Sequence, residues 1–236
     1  MIAPQFIHGV RPEGFLEVDA ARLLLILHRF ARPAEEQTFP ARYAPAQPFV
    51  AHFASEYYLQ KLDFLLRYPA YFIHELTELY QENAADRDIV IATIRQIHRD
   101  REPELQTIPF RKFWRGAYER RDDVEAWWWS RGLVYIRFEL RGSARPWKHY
   151  FLTQAGVDVA ERLVRNLSHA QWYADRIGQI HHYMGHLSAS DIKDRQYRHA
   201  RYKDANLNEY IPDLTAQEIA DNFFYVFGEQ LEVSDG

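Results

Sequence analysis

Between Arg111 and Lys148 the chain carries ten basic residues against five acids, although its overall formal charge is −4. A local excess of this kind is what contact with a phosphate backbone requires. The candidates for DNA contact are Arg120, Arg121, Arg137, Arg141, Arg145 and Lys148. Arg141, Arg145 and Lys148 fall in or beside a Gly/Pro loop, where a basic hairpin could lie against phosphates or the minor groove. The plainer reading is a solvated loop whose charges keep the chain soluble. Asp122, Asp123 and Glu125 precede the loop on an expected helix, and acids there would face phosphates rather than bind them.

Trp127, Trp128 and Trp129 are consecutive. Successive helical residues turn by about 100°, so the three rings cannot share one face. At least one is expected to leave the core for a second surface, and all three are candidates for partner contact. His182 and His186 stand at i,i+4, close to His181, with Asp191 a conceivable third ligand. No Glu lies between them as in a zinc-protease helix, so chance clustering among eleven histidines is the better account. Arg195, Arg198 and Lys203 alternate with Asp191, Asp194 and Asp204, as on a solvated, salt-bridged helix. No nucleophile elbow, phosphate-cradling glycine loop or paired acidic motif is present. The expectation is a non-enzyme with no cofactor and no metal.

The elements that would position these residues are largely helical. Val18 to Phe30 is a helix with Asp19 as cap or first-turn acid, and Pro33 to Pro48 is an extended connector. Phe49 to Tyr80 is a long apolar segment, broken or restarted at Pro69, with Asp63 and Arg67 an i,i+4 pair. Ile89 to Arg99 is a further helix, and Phe110 to Arg131 reads as one or two more, closed by Gly132 in the left-handed conformation. Val134 to Leu140 alternates, a loop from Arg141 to Pro146 follows, and a second alternating run ends at Leu152, so the pair reads as a β-hairpin. Val157 to Leu167, Trp172 to Met184 and Ala189 to Lys203 read as helices. Thr215 and Glu218 form a capping box for a last helix through Phe227. Helix, hairpin and closing helix are the plan of a winged helix, a module that either binds DNA or docks proteins. The expected class is mainly α with a small β-hairpin or three-stranded sheet. A winged-helix core would span 1–168, with a helical insertion at about 49–110, and a helical extension would span 169–236.

Composition sets the wider bounds. Apolar residues make up 47% of the 236 and aromatics 15%, enough for a packed core. The absence of cysteine removes disulfides, thiolate metal sites and thiol nucleophiles. The first residues lack the basic and apolar regions of a signal peptide, and no apolar run approaches the ~18 residues of a membrane helix. A cytoplasmic protein without membrane contact is expected.

Leu62-Asp63-Phe64-Leu65-Leu66-Arg67-Tyr68-Pro69, with Tyr58 to Lys61 ahead of it, resembles a motif of small middle-component proteins. These belong to bacterial three-component conflict systems built around an ABC- or SMC-type ATPase. The helix Arg22 to Leu27 and the run Tyr150-Phe151-Leu152-Thr153 also fit that family, over roughly residues 18 to 165. The resemblance implies a non-catalytic accessory subunit, like the small subunit of Lamassu-type anti-phage defence. Such a subunit joins the ATPase to an effector such as a nuclease, and some winged-helix subunits of this kind touch DNA. Leu59, Leu62, Phe64, Leu66 and Tyr68 would then supply partner contacts as well as core. The alternative from another class is a free-standing winged-helix transcriptional regulator of PadR or MarR type.

Overall fold

The computed structural model describes residues 15–34, 42, 44–100, 111–113, 116–118, 120–140, 146–207 and 209–231, with backbone only for the two segments between 111 and 118. In chain order the elements are α1 (Phe15–Phe30), β1 (Arg32–Pro33), β2 (Ala51–Ala54), α2 (Glu56–Arg67), α3 (Pro69–Gln81), α4 (Arg87–Arg99), β3 (Arg111–Phe113), β4 (Gly116–Tyr118), α5 (Asp122–Ser130), β5 (Val134–Glu139), β6 (Trp147–Leu152), α6 (Gln154–Asn166), α7 (Ser168–Met184), α8 (Ala189–Gln196), α9 (Ala200–Asp204) and α10 (Ala216–Phe227). The protein is mainly helical with a small antiparallel sheet. Two compact units divide it: residues 1–54 with 120–171, and residues 55–119 with 172–236. Residues 55–110 of the expected insertion and 172–236 of the expected C-terminal extension fall in one unit, whereas 49–54 and 169–171 fall in the other.

In the first unit α1 is apolar nearly all round, and Leu23, Leu24, Leu25, Ile26 and Leu27 are all buried. Such a helix must be covered on several sides, and α5 and α6 both pack on it. Asp19 is not a cap; it pairs with Arg22 at 2.7 Å inside the helix. The sheet has the order β1-β2-β6-β5, antiparallel throughout. The expected hairpin is present, in the register Val134↔Leu152 to Glu139↔Trp147. It gains a neighbour in Ala51–Ala54, which lies in the segment whose long apolar run read as helical. Ser55, at φ 93°, ends that strand, and its side chain accepts from the Tyr58 amide to open α2.

A clasp fixes where the hairpin begins and ends. Gly132 is left-handed at φ 63°, as its place after α5 requires. The Thr153 hydroxyl donates to the Gly132 carbonyl at 2.7 Å and accepts from the Gly156 amide at 3.1 Å, capping α6. The Thr153 amide donates to the Leu133 carbonyl at 3.1 Å. A Cβ on Gly156 would stand 2.4 Å from that same carbonyl oxygen, so only glycine permits this approach.

The second unit is built on α2 and α3. Pro69 at the first position of α3 stops one helix and starts the next, with Tyr68 as the shared cap. Leu59, Leu62, Phe64, Leu65 and Leu66 are almost wholly buried, and so are Lys61, Asp63 and Arg67. Phe64 stacks on Tyr68 at 4.6 Å and meets Tyr71 and Tyr202 at 5.1 and 5.5 Å. Arg195 clasps α8 to α3 through Glu75 at 2.7 Å and also reaches Glu82. Two expectations fail here. Arg111–Phe113 and Gly116–Tyr118 are paired strands, not helix, since this aromatic-rich stretch suits a pleated ladder. Ala189 to Lys203 is two helices, because the chain turns at Tyr197 to His199 and brings Tyr202 into the aromatic cluster of Phe64 and Tyr71. The capping box of Thr215 and Glu218 is present.

Candidate functional site

Of the six residues expected to meet DNA, Arg120, Arg121, Arg137 and Lys148 are described, and these four do not form one exposed basic face. Arg121 is 2% exposed; a guanidinium so buried cannot reach a phosphate. Lys148 donates to both oxygens of Glu125 at 2.9 and 3.0 Å, and Tyr150 donates its hydroxyl to the same carboxylate at 2.9 Å. The acid read as an obstacle on α5 is thus the internal partner of a residue read as a phosphate contact. Arg120 is exposed and paired with Asp122. Arg137 is half-buried, its guanidinium 5.3 Å from the centre of the Trp129 ring. Arg141 and Arg145 lie outside the described residues.

The tryptophan triplet divides as helical geometry demands. Trp128 is 1% exposed and donates its indole N–H to the Ala20 carbonyl of α1 at 3.2 Å. Trp127 is half-buried beneath Arg131, whose guanidinium stands 3.9 Å from the ring centre. Trp129 is 41% exposed and meets Tyr135 edge-on at 5.3 Å. Phe138 and Leu140 are also exposed. Trp129, Phe138 and Leu140 are therefore the large apolar side chains that α5, β5 and the end of β5 leave to solvent.

Leu59, Leu62, Phe64, Leu66 and Tyr68, expected to serve core and partner contact together, are core residues, 0–7% exposed. Their spacing signalled an apolar helix face, but periodicity does not distinguish a face that packs internally from one that docks.

Two histidine arrangements escaped sequence reasoning. On the sheet, His52 Nε2 lies 2.8 Å from His149 Nδ1, and His149 Nε2 lies 3.0 Å from a Glu139 carboxylate oxygen. All three are buried, and burial next to His149 holds His52 down at about 4. In the second unit His74 and His199 meet edge-on at 4.6 Å. Burial, reinforced by His199 and Arg195, holds His74 down at about 4, and burial also lowers His199. Each pair comes from segments far apart in sequence, so no local spacing announces it. Among the described residues, no group of three or more His, Cys, Asp or Glu side chains is placed to hold a metal ion. None of the described helices is long and apolar enough to cross a membrane.

No protein-family model, no curated protein and no solved structure matches this chain.

Proposed function

We propose that the chain is a non-catalytic accessory subunit whose first unit is a winged-helix module used for docking. The order helix, strand, helix, hairpin, closing helix supports that module, as does the placing of β2 beside β6 and β6 beside β5. The observation that carries docking over base reading is the fate of the charges around α5. The helix in the recognition position opens on Asp122 and Asp123, and Glu125 sequesters Lys148. What the same rim offers is apolar: Trp129, Phe138 and Leu140. Exposed aromatic and aliphatic groups framed by charges are the composition of a protein-contact surface.

The partner is an SMC-like or ABC-type ATPase of a cytoplasmic anti-phage defence complex, with an effector such as a nuclease on the far side. This part of the reading rests on the sequence resemblance alone, carried chiefly by Leu62 to Pro69. Contact with double-stranded DNA, where it occurs, is to the backbone. Co-purification with an ATPase encoded beside this chain, abolished by Trp129→Glu with Phe138→Glu, is the expected result. A stable monomer that captures no such ATPase overturns the reading. A sequence-specific footprint on an operator would instead restore the free-standing regulator.

A further inference from the structure

The second unit contains a cleft of about 230 Å³, half open to solvent. One wall is a single face of α3, formed by Ala70, Ile73 and His74. The rest of the lining comes from one face of α10, with Glu218, Ile219 and Asn222, and from His199 and Leu214. These walls are firmly held. The Tyr71 hydroxyl donates to the Pro212 carbonyl at 2.8 Å, and the Tyr71 ring meets His199 edge-on at 5.1 Å.

Three neutral polar side chains of the cleft stand with their hydrogen-bonding capacity unused. Among the described residues, neither ring nitrogen of His74 or of His199 has a hydrogen-bond partner, and the Asn222 carboxamide has none. His199 Nδ1 is buried in that condition. Glu218 differs: one carboxylate oxygen accepts from the Thr215 amide and hydroxyl at 2.8 and 2.7 Å, and the other pairs with Arg201.

These facts narrow the ligand. A metal ion would need a third strong ligand, and both oxygens of Glu218 are already engaged. An anion would find two uncharged imidazoles and a carboxylate that already engages the nearby Arg201 guanidinium. A purely apolar group would bury two imidazoles and an amide without partners, which is costly. The volume is below that of a drug-sized site yet above the roughly 150 Å³ that encloses benzene. Ile73 and Ile219 add apolar contact. Asn222 presents a donor and an acceptor side by side, the pairing an amide makes with the edge of adenine.

We propose that this cleft binds a planar, uncharged nitrogen heterocycle of nucleobase size, oriented by Asn222, His74 and His199. It stands whether or not the chain joins an ATPase. The test is NMR titration of the histidine ring resonances of the full chain with adenosine, cytidine and zinc chloride in parallel. Saturable shifts of His74 and His199 with a nucleoside are expected. Asn222→Ala, on a half-exposed helix position, should weaken them about tenfold, the discrimination of one bidentate amide contact. His74→Gln should do likewise while circular dichroism stays unchanged. The proposal is overturned if no nucleoside saturates the signals by ~10 mM, an affinity too weak to be a built site. It is equally overturned if both variants bind as the parent does, or if zinc alone produces the shifts.

Discussion

Replacing Gly156 by alanine sets two effects of opposite sign against each other. Alanine is favoured over glycine within a helix by about 1 kcal/mol, so by propensity the change should stabilise α6. The new Cβ would stand 2.4 Å from the Leu133 carbonyl oxygen and 3.2 Å from its carbon, and the obstacle is backbone. Relief requires α6 to retreat by about 1 Å to reach ordinary contact. That retreat would stretch the bonds from Thr153 to Gly132 and Leu133 that tie the helix to the start of the hairpin. Overpacking of this kind costs about 1–3 kcal/mol, so the clash should win by about 1 kcal/mol after the gain in propensity. Gly178, in α7, has nothing within 4 Å of its would-be Cβ, and Gly178→Ala should therefore stabilise. Urea unfolding followed by tryptophan fluorescence separates the two. The midpoint should fall by ~0.5 M for Gly156→Ala, given slopes of ~1–3 kcal/mol/M, and rise for Gly178→Ala. Equal shifts of the same sign would refute the close approach at Leu133.

Glu125→Ala should destabilise by about 2–3 kcal/mol, because it leaves the Lys148 ammonium and the Tyr150 hydroxyl without their shared acceptor. Glu125→Ala combined with Lys148→Met should recover part of that loss in the same unfolding assay. Trp128→Phe should cost more than Trp127→Phe, since Trp128 loses its bond to the Ala20 carbonyl while the buried Trp127 N–H has no partner among the described residues. Calorimetric melting that ranks them the other way would contradict the placement of the two rings. Burial keeps His52 and His74 neutral down to about pH 4, whereas in the unfolded chain they protonate near 6.5. Each therefore contributes stability that is whole above pH 6.5 and lost as pH falls to 4. Burial pushes Glu75 up to about 7 despite Arg195, and its native proton adds stability as pH falls from 7 to 4.5. Stability measured by urea unfolding should thus decline from pH 7 to 4.5, by less than the two histidines alone would give; a flat or rising profile would disprove the burial of these rings.

Local signals were legible where one residue type has one structural use. Gly132 closing α5, Pro69 starting α3, Thr215 with Glu218 capping α10, and the alternation of Val134 to Leu152 all read correctly from neighbours in sequence. What could not be read was pairing across long separations. Ala51–Ala54 becomes a strand because β6, about a hundred residues on, supplies its ladder; its own residues sit beside a helical run and share its apolar character. The candidate site shows the same limit. Arg121 and Lys148 have the type and position of phosphate contacts, yet burial of one and the Glu125 partnership of the other depend on packing that charge counting does not see.

The two faces of β6 decide what the sheet can offer a partner. Lys148 and Tyr150 turn to Glu125 on one side, while His149 on the other joins His52 and Glu139. Side chains so engaged and buried cannot serve recognition without breaking the core. β5, by contrast, is an edge strand among the described residues, where β6 is its one neighbour. Edge strands invite further pairing unless charge guards them, and β5 carries Arg137 and Glu139 beside the exposed Phe138. Glu139 is drawn inward by His149, and Arg137 lies over Trp129. On the docking reading, the rim from Trp129 along β5 to Leu140 is where a partner would make its contacts.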